Sequence, residues 1–98
     1  MKKIFISSDH AGFKLKEELK KHFKIIKLNF VDLGPVNDNS VDYPDYAHKL
    51  AKRVKINKNY VGILVCGSGI GMNIAANKHK NIRAALCFNT KSTKLSRL

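Results

Sequence analysis

Residues 61–73 read VGILVCGSGIGMN, an apolar run that stops at a cysteine and passes into alternating glycines. With Tyr60 included, the stretch 60–65 is short, rich in β-branched residues and free of polar alternation. That pattern suits a strand covered on both faces, as in a parallel sheet between helices. After Cys66 the period changes: from Gly69 onward Ile70, Ile74 and Asn77, with Ala75 and Ala76, fall at helical spacing. GSGIG therefore reads as a strand-to-helix turn whose glycines let backbone N–H groups approach a ligand. Cys66 then faces the positive pole of a helix, a setting that activates thiols and offers N–H donors to a developing oxyanion.

Upstream, residues 3–7 (KIFIS) read as a buried first strand, closed by the polar and small SSDHAG. Ala11, Leu15, Leu19 and Phe23 recur at helical spacing with Lys14, Lys16, Glu17, Glu18, Lys20 and Lys21 on the remaining arc, which predicts an amphipathic surface helix. Residues 25–33 (IIKLNFVDL) predict a second strand, with a start that can fall slightly later. The turn formers of GPVNDNSVDYP make the one long loop, and Pro44 suits the first turn of the next helix with Asp42 or Tyr43 near its cap. Tyr46, Ala47, Leu50, Ala51 and Val54 form the apolar stripe of that helix, which residues 57–59 close. Downstream, the third helix is expected to end between Asn77 and Lys80. Residues 83–88 (RAALCF) should supply a fourth strand, and 90–98 the start of a helix with Leu95 and Leu98 turned inward.

Strands and helices alternating in this way predict an α/β fold, a doubly wound parallel sheet in the flavodoxin-like (Rossmann-like) order 2-1-3-4. Ligands bind such sheets beyond the carboxyl ends of the strands, where the strand order reverses. That rule brings SSDHAG beside CGSGIG.

A chain of 98 residues with 44% hydrophobic composition makes a single domain, 1–98, with a modest core that a partner subunit would help to cover. No stretch approaches the roughly 18 apolar residues of a membrane span, and Lys2 and Lys3 are followed by only a short apolar run before Ser7, Ser8 and Asp9. A cytoplasmic protein with reduced thiols at Cys66 and Cys87 is expected. The net charge of +12 favours anionic partners: nucleic acid, anionic membrane or phosphorylated metabolites. The lysines are scattered without aromatic interleaving, however, and read as solvated surface, so neither membrane nor nucleic acid is an expected partner. A dinucleotide site does not fit either. The spacing is GxGxG rather than GxGxxG, it follows the third strand rather than the first, and no acidic residue lies about 20 positions on. His22, His48 and His79 lie on helix faces or ends without ligand spacing, read as surface residues, and give no metal site.

Taken in order, SDHAGF, DYPDYA, CGSGIGMNIAANK, IRAALC and LSRL resemble the ribose-5-phosphate isomerase B family, which includes the galactose-6-phosphate isomerase subunits. The resemblance covers nearly the whole chain. It implies aldose-ketose isomerisation of a phosphorylated pentose or hexose, foremost ribose 5-phosphate to ribulose 5-phosphate through an enediolate, as in the pentose phosphate pathway. It also implies no metal or organic cofactor, and a homodimer with active sites between subunits. Residue by residue, Cys66 matches the family's catalytic base. Another branch places a carboxylate just after the third glycine, where this chain has Met72. Gly67, Ser68, Gly69, Ile70 and Gly71 match the cradle for the enediolate oxygens, Ser68 adding a hydroxyl donor. Asp9 and His10 match the substrate pair, the aspartate for sugar hydroxyls and the histidine for the phosphate end, while Tyr43 would wall the pocket.

Each of these residues also has a plainer reading from the sequence alone. Cys66 could be a buried strand-end cysteine like Cys87, the glycines a tight turn, Asp9 a helix cap beside a solvent-exposed imidazole, and Tyr43 a packing residue. Family members continue past LSR with a histidine and an asparagine, then a strand and a long helix bearing arginines for the phosphate; this sequence stops at Leu98. The domain is accordingly expected to be incomplete at its C-terminus, lacking the last strand and helix. The alternative function is then a catalytically impaired homologue that only binds phosphosugar or other anions.

Overall fold

The apolar run at the centre of the sequence forms a strand, Tyr60–Val65, with the bounds its composition suggests. The structure, a computed structural model, describes residues 3–36, 43–66, 70–80, 82–84, 87 and 95. In chain order its elements are β1 (Lys3–Ser8), α1 (Phe13–Ile25), β2 (Phe30–Asp32), α2 (Tyr43–Val54), β3 (Tyr60–Val65) and α3 (Ile70–Asn77). The strands form one sheet in the order β2-β1-β3, with β1 parallel to both neighbours. This is the first part of the expected doubly wound order, and the reversal falls between β1 and β3.

The central strand, β1, is covered on both faces. Adjacent residues of a strand point to opposite faces, and Phe5 and Ile6 of β1 are each 0% exposed. Phe5 packs with Leu33 and Leu50, joined by Val31, Val54, Tyr60 and Leu64, so α2 lies on its face. Ala47 of α2 meets Ala75 of α3, two small side chains that let the helices approach. The α2 stripe is as read from sequence: Ala47, Leu50 and Ala51 are buried, with Tyr46 and Val54 half-buried. Among the described residues, no helix is long and apolar enough to cross a membrane.

Several expectations need correction. The strand buried on both sides is β1, not β3: only Val65 of β3 is buried, because β1 is the central strand of the described sheet and β3 an outer one. The inward face of α1 is rotated from the one the apolar spacing suggests. Leu15 is 56% exposed and Ala11 is exposed, whereas Gly12, Lys16 and Phe23 are buried. Lys16 is tolerated there because Nζ donates to Glu17 Oε2 at 3.0 Å, Asp32 Oδ2 at 2.7 Å and the Pro35 carbonyl at 3.0 Å, an acceptor for each of its protons. Lys20 Nζ also reaches Asp32 Oδ2, at 2.7 Å.

The second strand begins at Phe30 because the apolar residues before it complete the end of α1. Lys27 N–H donates to Lys24 O and Leu28 N–H to Phe23 O, with Lys27 at φ 60°. This is a Schellman closure carrying lysine where glycine is usual. Ile25, Ile26 and Leu28 consequently stay exposed. Along α3, Ala75 and Ala76 are buried and Ile74 is 55% exposed, since Ala75 faces α2 and Ile74 lies on another side of the helix. Of the expected fourth strand, residues 83, 84 and 87 are not in a strand and 85, 86 and 88 lie outside the described residues. Leu95, expected to point inward, is 60% exposed, with no described element packed over it; the rest of 90–98 lies outside the described residues.

Candidate active site at the ends of β1 and β3

Parallel pairing in step along the whole length of β1 and β3, from Lys3 opposite Tyr60 to Ser8 opposite Val65, makes the two strands end level. Asp9 and Cys66 therefore leave the sheet side by side. Asp9 N–H donates to the Val65 carbonyl at 3.2 Å, carrying the ladder one residue past the strands. On the other side, the Gly34 carbonyl accepts from Ser8 N–H at 3.2 Å and from Ser7 Oγ at 2.7 Å. Gly34, at φ 103°, can turn this carbonyl back because it has no Cβ. All three strand ends are thus tied to one another at the sheet's carboxyl edge.

The first turn of α1 closes over this edge. Asp9 Oδ1 accepts from Gly12 N–H at 2.7 Å, so the carboxylate has the cap-like role of the plainer reading, with Oδ1 committed to the chain. Gly12 is the residue sequence reasoning missed. A Cβ there would run into the Val65 carbonyl and lie within 2.9 Å of Cys66 N, which only glycine avoids. The available signal was its position, a glycine between a strand-end Asp-His and an amphipathic helix. His10 is exposed, its carbonyl accepting from Phe13 N–H at 3.4 Å.

Cys66 is half-buried and packs against the Ala47–Ala75 contact between α2 and α3. Ile70 and Gly71 open α3 shortly after it, with their side-chain surroundings outside the described residues. Gly67, Ser68 and Gly69 lie outside the described residues altogether. Tyr43 begins α2, and its side chain too lies outside the described residues. The structure thus brings together Asp9, Gly12 and Cys66, leaves His10 exposed, and packs Cys66 against the contact that Ala75 of α3 makes with α2. Two hollows, of about 660 Å³ and 290 Å³, are lined by other residues. The smaller adjoins the Gly34–Pro35 turn and Tyr46. Among the described residues, no group of three or more His, Cys, Asp or Glu side chains is placed to hold a metal ion.

The sequence profile of the Ribose/Galactose Isomerase family matches residues 4–98. The chain belongs to that family. A probable ribose-5-phosphate isomerase B of Mycoplasma pneumoniae is 48% identical over 95 residues, covering 96% of this chain and 62% of the relative. Ribose-5-phosphate isomerase B of Escherichia coli is 42% identical over 97 residues, covering 99% of this chain and 65% of the relative. Among solved structures, ribose-5-phosphate isomerase B of Clostridium thermocellum superposes with a TM-score of 0.92 at 44% identity, covering 97% of this chain and 64% of that one. This member of the ribose/galactose isomerase family therefore spans somewhat under two thirds of the length of the relatives it matches.

Proposed function

We propose that the chain is a sugar-phosphate isomerase of the ribose-5-phosphate isomerase B type, interconverting ribose 5-phosphate and ribulose 5-phosphate. The observation that carries this reading is the level ending of β1 and β3, which sets Asp9 and Cys66 abreast. Family membership supplies the class of reaction. In the proposed step the Cys66 thiolate removes the proton from C2 of the open-chain aldose, and the electron pair moves through C1 to leave an enediolate. Return of the proton to C1, with a proton passing between the two oxygens, gives the ketose, so atoms balance without any cofactor. Gly67, Ser68, Gly69, Ile70 and Gly71 are assigned to the enediolate oxygens, on the principle that fixed donors stabilise charge as it develops. Asp9 is assigned to the sugar hydroxyls, His10 to the phosphate end and Tyr43 to the pocket wall. Residues 1–98 are read as one isomerase-type domain, working as a homodimer.

The test is interconversion of the two pentose phosphates, followed by NMR, with the native chain and with Cys66→Ala. Loss of a positioned base should lower turnover by about 10² to 10⁴ while leaving phosphosugar binding in place. Ribose 5-phosphate should also protect Cys66 from alkylation and leave Cys87 as it was. Equal turnover in Cys66→Ala would reject the thiol as base. Phosphosugar binding with no turnover by the native chain would reject the isomerase reading in favour of a binding protein.

A further inference from the structure

His48 and His79, read from sequence as separate surface residues, meet. Nδ1 of His48 on α2 faces Nε2 of His79, just after α3, at hydrogen-bonding distance, with ring centroids 4.7 Å apart and both residues half-buried. The pair lines the larger hollow, about 660 Å³, together with Asp45, Lys49, Lys52 and Arg53. That volume lies in the range of small-ligand sites, about 300–1,000 Å³. Among the described residues, three cations and two imidazoles thus share a cleft with a single carboxylate.

Among the described residues these cations are not used elsewhere. Glu17 and Asp32 are taken up by Lys16 and Lys20, and among the described residues neither Lys49, Lys52 nor Arg53 is in an ion pair. Lys49 instead stands over the Tyr46 ring and Arg53 over the Phe5 ring, at 5.9 and 4.9 Å from the centroids, which places their charges at the cleft without neutralising them. We propose that this cleft is a second ligand site, separate from the Asp9–Cys66 cluster, that takes a diphosphate-type oxyanion between Lys52 and the His48–His79 pair. Such an anion accepts charge-assisted hydrogen bonds from lysine, guanidinium and protonated imidazole alike.

The imidazole pair gives the site a pH response. One ring must accept from the other, so the contact survives one added proton and breaks with two. Burial, then the charges of His48, Lys55 and Lys52, hold His79 below its ordinary value, which favours the neutral ring in the empty cleft. Asp45, Lys49 and Arg53 line the same cleft from α2, and Lys78 and Lys80 flank His79 in sequence. A bound anion offsets this positive surrounding and favours one added proton at His79, so binding takes up a proton and strengthens as pH falls.

The experiment is imidazole NMR on the native chain in 150 mM salt, a condition set at about physiological strength so that diffuse attraction is screened. Inorganic pyrophosphate is titrated in, with ADP as a second arm. The His48 and His79 signals should move saturably while His22 stays in place, and affinity should rise between about pH 8 and pH 6. Lys52→Gln should weaken binding about tenfold, the scale of one charge-assisted hydrogen bond. His79→Gln should remove the pH dependence while circular dichroism shows the fold retained. Equal affinity for pyrophosphate and ADP would support recognition of the anion alone, and tighter ADP binding a site that also holds an organic body. Parallel, non-saturating shifts of all four histidines would show only diffuse attraction to a basic chain and overturn the proposal. So would Zn²⁺ moving the pair where pyrophosphate does not, unchanged affinity in Lys52→Gln, or displacement of pyrophosphate by ribose 5-phosphate. The proposal does not depend on isomerase activity, because its readout is binding at residues outside the Asp9–Cys66 cluster.

Discussion

Lys16→Met should reveal how much of the fold depends on one buried charge. The lysine side chain is 0% exposed, and its Nζ joins α1 to β2 through Asp32 and to the following turn through the Pro35 carbonyl. Methionine fills similar volume, so the loss is electrostatic. The Pro35 carbonyl loses a donor, while Asp32 keeps Lys20 and the Gly34 N–H, at 2.7 and 2.8 Å. Removing one partner of a fully buried pair costs about 3–5 kcal/mol, but the surviving contacts and the partial exposure of Asp32 lower the expected cost to roughly 2–3 kcal/mol. For a domain of this size that lowers Tm by roughly 10–20 °C. The pH dependence gives a second readout. Burial raises the Asp32 carboxyl, but hydrogen bonds from Lys16, Lys20 and the Gly34 N–H outweigh it and hold the group below its ordinary value. Its stabilising contribution is therefore present above the unfolded value, about pH 4, and is lost as pH falls through the lower folded one. Lys16→Met should flatten that acid-side loss, and a double-mutant cycle with Asp32→Asn should show coupling above about 1 kcal/mol. Urea denaturation between pH 2.5 and 7 tests all three. A cost below about 0.5 kcal/mol, as for an ordinary surface lysine, would refute the account.

Gly12→Ala should destabilise by about 1–3 kcal/mol, because the new methyl meets the Val65 backbone rather than a side chain that can swing away; an unchanged urea midpoint would show that the end of β3 yields easily. Lys27→Gly should have the opposite sign, stabilising by about 1 kcal/mol through relief of a left-handed backbone in a non-glycine residue. A lower urea midpoint for that variant would mean the lysine side chain does something at the end of α1 that its backbone geometry does not show.

The architecture was readable where a segment's chemistry depends only on its own neighbours. The strand at 60–65, the stripe of α2 and the order of the first three strands follow from periodicity and spacing and appear as read, whereas the expected burial of β3 on both faces does not. Periodicity failed at α1 because it treats every lysine as solvent-facing. Lys16 is buried through acceptors on β2 and in the turn after it, 16 and 19 residues away, which no local window includes. It failed again at 25–28, where the apolar residues complete a helix end instead of starting a strand. In the site, Asp9 and Cys66 could be paired from the switch-point rule. The need for glycine at position 12 could not, because it arises from a backbone contact across the sheet. The meeting of His48 with His79 was equally hidden, since it depends on the packing of α2 against α3.

The level pairing of β1 with β3 has a consequence for how the protein can go wrong. A slip of one residue between them would carry Asp9 about 3.3 Å away from Cys66 and turn the side chains of the shifted strand to the opposite faces. The same slip would take Phe5 or Gly62 off the face that meets α2 and lose the bonds that pin the pair at each end, Lys3 N–H to Asn59 O and Asp9 N–H to Val65 O. Site alignment and core packing are thus a single geometric condition. A population of misaligned molecules should fail quality control as unfolded protein instead of persisting as soluble, well-packed but inactive material.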